Sequence, residues 1–345
     1  MKTRYFSAVG QPEAGTRLGG ATIRAGGLVA FPTETVYGLG ANGLDGAAVS
    51  RIFEAKGRPN DNPLILHIAK KSDLKELWRA VPDRARLLMD EFWPGPLTLV
   101  YLKSDKVPEE VTAGLDTVAV RMPSNRTALA LIRAAGVPIA APSANLSGKP
   151  SPTAAEHVAA DMDGKIDVII DGGPCAIGVE STVLSLMGDT ATILRPGGIT
   201  REMLEAVIGP VRLSPAVLAP LREGERPASP GMKYRHYAPD AEVIVGTGAL
   251  PNMAAKLIAE YDRREAEGLR CIIFATEETR RFYRGKRYVI IGERKDPITL
   301  CENLFAQLRA CEGEADVILC EATPETSLGL AYMNRLLRSA GFKTI

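Results

Sequence analysis

Short apolar runs alternate with amphipathic segments along most of the chain. A run at 28–31 enters at Gly27 and stops at Pro32, which predicts a buried strand. Further strands are expected at 64–68, 97–102, 118–121, 137–141, 167–170 and 192–195. Between them, apolar positions recur at helical spacing over 12–26, 46–55, 73–79, 83–92, 125–135 and 200–208. Gly38, Gly40 and Gly43 read as a loosened stretch of backbone ahead of the helix at 46–55. Thr153 and Glu156 form a capping-box pattern opening another helix, with His157 on its wet side. From 214 to 240 the alternation stops, and Pro215, Pro220, Pro227, Pro230 and Pro239 mark a linker. It resumes with strands at 243–245, 270–274, 288–291 and 317–319 and helices at 252–267, 298–311 and 328–340. The fold class is therefore α/β, or mixed α+β: a twisted open sheet over 1–213, a linker or lid over 214–240, and a small Rossmann-like α/β domain over 241–345.

Composition narrows the function more than the fold. No stretch approaches the roughly 18 apolar residues of a membrane span, and MKTRYFSAVG holds no apolar core of signal length, so a cytoplasmic protein without membrane attachment is expected. Five cysteines without CxxC spacing suggest neither a disulfide framework nor a resident metal site. A net charge of +1 speaks against stable binding of tRNA or another long polyanion. A small anionic ligand suits it better.

The candidate chemistry gathers where elements end. Thr33 and Thr35 follow the first strand, and Lys56 and Arg58 lie just past a helix end as exposed charges. His67 ends the next strand, and Ser143, Asn145, Ser147 and Ser151 crowd PSANLSGKPSPT. That loop reads equally as a phosphate cradle and as a polar lead into a helix. Ser181 follows a glycine-rich turn, and Arg195 precedes Pro-Gly-Gly at a strand end, as a phosphate clamp or a solvated charge. Gly38-Leu-Gly40-Ala-Asn-Gly43 matches GxGxxG literally, but PTETVY separates it from the strand and Asp61 falls in a loop, so a dinucleotide site is set aside. GxxxxGK[ST], GxSxG and HExxH do not occur. Cations and hydroxyls without a nucleophile motif suit attack on a phosphate by positioning and charge neutralisation. Within the linker, SPGMKYRHYAP has two tyrosines, two cations and a histidine in six residues, which favours a lid over a spacer.

PTETVYGL, KGRPNDNPL, PSANLSG, GVESTV, LRPG and SPGMKYRHYAP, in this order, resemble the YrdC-like threonylcarbamoyl-AMP synthases of two-domain type. The resemblance implies a mixed sheet that is concave over the site. It also implies condensation of L-threonine, bicarbonate and ATP, with Mg²⁺ on the ATP, to threonylcarbamoyl-AMP and pyrophosphate. Downstream transfer proteins would then use the product to form N6-threonylcarbamoyladenosine in tRNA. By motif, threonine falls to Thr35, His67, Arg121, Ala141 and Ser181. ATP falls to Lys56, Arg58, Asn62, Ser143, Asn145, Ser151 and Arg195, with Thr117 close by and Tyr234 covering the nucleotide. Lys56 and Arg58 are the expected catalytic cations, and the C-terminal domain shows no catalytic constellation. A double-stranded RNA-binding module is the alternative.

Overall fold

A computed structural model describes residues 2–219 and 237–345. Its first sheet is built from β1 (Arg4–Ser7), β2 (Val29–Phe31), β3 (Gly38–Asn42), β4 (Ile65–His67), β5 (Leu97–Leu102), β6 (Thr117–Arg121), β7 (Ile139–Ala140), β8 (Val168–Asp171), β9 (Thr182–Ser185), β10 (Thr192–Arg195) and β11 (Arg212–Leu213). They lie in the order β1-β8-β2-β3-β7-β4-β6-β5-β9-β10-β11, with parallel and antiparallel neighbours mixed. The helices of this part are α1 (Thr16–Arg24), α2 (Gly46–Lys56), α3 (Leu74–Leu77), α4 (Asp83–Phe92), α5 (Glu109–Thr112), α6 (Arg126–Ala135), α7 (Ala155–Met162) and α8 (Arg201–Ile208).

The period-two alternation of strand side chains decides where the site lies. Leu66, Val120, Leu99 and Leu184 face one side, where they join Val49, Ile52 and Phe53 of α2 and Leu88 and Met89 of α4 in the main core. Ile65, Ala119, Val100 and Val183 face the other side as a small separate apolar cluster. His67 and Arg121 share that second face, because His67 follows Ile65 by two and pairs with Arg121 across the parallel β4–β6 register.

Several expectations need correction. The loosened glycine stretch is β3, antiparallel to β2. Gly40 sits there because a Cβ would lie 2.9 Å from the Phe31 ring and 2.7 Å from Ile139. β1 and β11, at the two edges, and β9, in a stretch that reads as turns, carry too little pattern to announce themselves. The capping box does not form: α7 begins one residue late, with Ala154 at its N-cap. His157 thus takes the third helical position, and its Nδ1 accepts the Thr153 N–H at 3.3 Å. It is half-buried rather than a surface residue. By contrast, Asn125 and Asp45 cap α6 and α2 by accepting two backbone N–H groups each.

The second sheet is wholly parallel, in the order β12-β15-β13-β14, from β12 (Glu242–Gly246), β13 (Cys271–Thr276), β14 (Tyr288–Gly292) and β15 (Val317–Glu321). Helix α9 (Leu250–Ala266) covers one face, and α10 (Pro297–Ala310) with α11 (Leu328–Ser339) covers the other. Every residue of α11 from Gly329 to Ser339 is buried, polar ones included. Two of those polar groups meet the start of the 214–240 segment, which is here a short buried turn rather than loose linker: Asn334 donates to the Val217 carbonyl, and Arg338 to that of Ala216 at 2.7 Å. All five cysteines are free and buried. Among the described residues, no helix is long and apolar enough to cross a membrane.

Candidate active site

Thr35, Arg58, His67, Arg121, Ala141, Ser143, Ser181 and Arg195 line a single cavity, together with Thr33, Glu180 and Tyr237. The cavity lies over the face of β4 and β6 that bears Ile65 and His67, rather than only at strand ends.

Arg121 is its central cation. It is 3% exposed, and it donates to Thr35 Oγ1 at 2.9 Å and reaches Glu34 at 2.7 Å. Thr35 Oγ1 lies 2.8 Å from Thr33 Oγ1, which donates onward to the Val36 carbonyl. A guanidinium thus anchors a chain of hydroxyls whose acceptors are internal. Burial opposes ionisation of Glu34, but the Arg121 charge prevails and holds its carboxyl below the usual range. His67 is neutral: burial first, then Arg121, pushes it down to about 3. A carbonyl can only accept, so Nδ1 donates to the Ile65 oxygen at 3.2 Å, and Phe31 meets the ring edge-on.

On the far wall, Arg195 donates through Nε to the Ser181 carbonyl at 3.1 Å and through Nη2 to Ser181 Oγ at 3.2 Å. Thr98 Oγ1 lies 2.8 Å from Ser181 Oγ. The two segments touch because Gly197 lacks a side chain; a Cβ there would stand 2.3 Å from the Thr182 nitrogen and 2.5 Å from the Glu180 oxygen. Burial lowers Arg195 to about 10, against the pull of Glu180. Glu180 itself is brought down to about 2: burial raises it, but Arg335, Arg195 and the Ser151 hydroxyl outweigh that.

Among the described residues, Lys56, Asn62, Thr117, Asn145 and Ser151 are not part of the cavity lining. Lys56 lies behind it, 3% exposed, with Nζ donating to the carbonyls of Ser143 and Asn145 at 2.6 Å each. Burial, then the charge of Arg58, pushes its ammonium well below the usual lysine range. Arg58 is 8% exposed and donates to the Asn62 carbonyl, so neither cation is the exposed helix-end charge the sequence suggests. Asn145 accepts from Ser143 Oγ at 2.5 Å and donates to the carbonyls of Leu146 and Lys149, and Ser151 donates to Glu180 at 2.5 Å. Thr117 begins β6, four residues before Arg121. Tyr234 lies outside the described residues.

Sequence reading missed Glu180, Tyr237 as a wall of the cavity, and above all the C-terminal domain's part in it. Arg335 of α11 is fully buried and pairs with Glu180 at 2.8 Å, and Arg309 of α10 pairs with Asp161 at 2.7 Å. Tyr237 stacks on Phe305 of α10, ring centroids 5.0 Å apart, and its φ of 65° is one that side chains rarely adopt. Among the described residues, no three His, Cys, Asp or Glu side chains cluster to hold a metal.

Buried cations, hydroxyls and a neutral imidazole around one cavity of a two-sheet α/β protein are the arrangement that group-transfer enzymes use to neutralise developing charge. Residues 21–197 match the family model described as "Telomere recombination", and residues 199–341 match "Threonylcarbamoyl-AMP synthase, C-terminal domain". Threonylcarbamoyl-AMP synthase of Bacillus subtilis is 51% identical over 94% of this chain and 92% of its own. That of Pyrococcus abyssi is 50% identical over 95% of each. The crystal structure of P. abyssi Sua5 complexed with L-threonine superposes with a TM-score of 0.92 at 48% identity, covering 100% of this chain and 99% of that one. The chain belongs to the Sua5/YrdC-type threonylcarbamoyl-AMP synthase family and is an enzyme of the nucleotidyltransferase type.

Proposed function

We propose that the chain condenses L-threonine, bicarbonate and ATP to threonylcarbamoyl-AMP and pyrophosphate, for N6-threonylcarbamoyladenosine formation in tRNA by downstream transfer proteins. The observation that carries this is one cavity whose buried wall includes Arg58, Arg121 and Arg195, beside hydroxyls already bonded to one another. Neither serine of the wall is set up as a nucleophile. Ser143 donates to Asn145, and Ser181 Oγ is held by Thr98 and Arg195.

Arg121, with Thr35 beside it, takes the threonine carboxylate, and neutral His67, its Nδ1–H spent on the Ile65 carbonyl, accepts a hydrogen bond through Nε2 without adding charge. The threonine amine attacks the carbon of CO2 formed from bicarbonate and loses a proton, giving a carbamate. A carbamate oxygen attacks the α-phosphorus of ATP, the bond to the bridging oxygen breaks, and pyrophosphate leaves with its electron pair. Arg58 and Arg195 neutralise the phosphate charge in a site too dry to do so with water. Lys56 acts one step back, holding the Ser143–Asn145 carbonyls in place. Mg²⁺ would accompany the nucleotide and help neutralise its phosphates; Glu34 and Glu180, paired with Arg121 and Arg335, are not set up to hold it. Duplex RNA is the poorer fit: Arg58, Arg121 and Arg195 are 8%, 3% and 6% exposed, where a backbone platform needs cations in the open. Pyrophosphate release with threonine and bicarbonate omitted in turn tests the reading. Release should need both, and release that persists without threonine overturns it.

A further inference from the structure

The C-terminal domain places one charged side chain against the first domain's cavity wall. Arg335 Nε donates to Glu180 Oε2 at 2.8 Å, one of its amino groups to the Glu180 carbonyl at 3.2 Å, and the other to the Pro196 carbonyl at 2.7 Å. Those acceptors adjoin Ser181 and Arg195, the two residues bonded to each other across the far wall. Glu180 turns its other oxygen to Ser151. This wall is thus held by a charged side chain from another domain.

We propose that Arg335 is a positioning residue for the reaction, acting through Glu180. It clamps a carboxylate that would otherwise swing to Arg195 and cancel the charge meant for substrate. It also staples the 178–182 turn to the end of β10. The proposal rests on the reading that this cavity takes ATP and threonine. Its physical basis is the asymmetry of a buried pair: removing one partner leaves an uncompensated charge, which seeks the nearest opposite one. Here the cation acting on Glu180 next after Arg335 is Arg195, one residue from the Pro196 carbonyl that Arg335 also holds. The low proton affinity of Glu180 keeps it charged throughout the neutral range, so the clamp is permanent and not a switch. Tyr237 lies over the Arg335 guanidinium at 6.0 Å, so the clamp also braces the described residue that re-enters the cavity wall.

The test uses the full chain with Arg335→Gln, Arg335→Lys, Glu180→Gln and the double variant Glu180→Gln/Arg335→Gln. It reads threonine-dependent pyrophosphate release per folded site, KM for ATP and for L-threonine, and amide exchange over 178–183 and 195–199. Arg335→Gln should lower kcat/KM for ATP about 100-fold, the scale of a misplaced site. The double variant should recover at least tenfold of that loss, because no stray carboxylate remains. Arg335→Lys should fall between, with the ATP KM largely restored. Should Arg335→Gln not fold, the lysine and double variants carry the comparison, since each keeps the charges balanced. Unchanged constants per folded site, or a double loss equal to the product of the single losses, overturn the clamp. If wild type itself shows no threonine-dependent release, the functional reading fails instead. The positioning claim then stands or falls on exchange, which should quicken in those two segments alone in Arg335→Lys and overturns the claim if unchanged.

Discussion

Two buried glutamates, one in each domain, are built from the same parts. Glu180 takes an arginine, Arg335, and a hydroxyl, Ser151. Glu321 ends β15 and takes Arg294 at 3.0 Å with the hydroxyls of Tyr283 and Thr276. Both are almost fully buried. Glu321 finds all its partners within its own small sheet domain, whereas Glu180 borders the cavity and finds its arginine across a domain boundary. The difference teaches that a buried ion pair says little about function on its own. Which pair matters depends on what its charge faces.

The largest expected contrast follows from that pairing. Arg335→Gln and Arg294→Gln should each destabilise the fold by about 3–5 kcal/mol, since each strands a buried carboxylate. Only Arg335→Gln should also cost about 100-fold in kcat/KM per folded site. Steady-state kinetics beside thermal melts separates the two, and equal kinetic losses would erase the distinction between the domains. Next in size is Gly197→Ala. Its Cβ must push the Thr182 nitrogen from 2.3 Å, so it should cost about 1–3 kcal/mol of stability and lower turnover tenfold or more, by parting Ser181 from Arg195.

The histidines offer a milder contrast, because all three precede the second sheet. A folded value near 3 for His67 against about 6.5 unfolded means that the unfolded chain binds the extra proton as pH falls. Stability of the first domain is therefore full above about pH 6.5 and declines below it, by up to about 1.4 kcal/mol per pH unit until carboxylates join near 4.5. Amide exchange between pH 6.5 and 4.5 should show β4 and β6 loosening while β13 and β15 hold steady, and His67→Asn should reduce the slope to what His157, also held down by burial, contributes. Smallest is Thr200→Ala, which removes the cap on the Met203 N–H; it should cost about 1 kcal/mol and leave kinetics alone.

How much of this was legible in the sequence depends on which physical signal each part leaves. Alternation between strand and helix patterns located most elements, with 83–92 and 97–102 matching α4 and β5 end to end. Hydroxyls and cations at element ends, read with the ordered motifs, found Thr35, Arg58, His67, Arg121, Ser143, Ser181 and Arg195, which do meet in one cavity. Burial was not legible. Lys56 ends α2 and Arg58 lies just beyond it, where charge is normally solvated, and only the fold shows the carbonyls that enclose them. Arg335 left even less trace, because an arginine in an amphipathic helix reads as its wet face. No periodicity reveals that α11 is covered on every side, by its own sheet and by another domain.

One carbon should pass from bicarbonate into the adenylate. Incubating the full chain with ATP, L-threonine and ¹³C-labelled bicarbonate, then weighing the nucleotide products by mass spectrometry, follows that carbon directly. The expected result is an AMP adduct that holds both threonine and the heavy carbon, formed in step with pyrophosphate. ATP consumed with no labelled, threonine-bearing adenylate would contradict it.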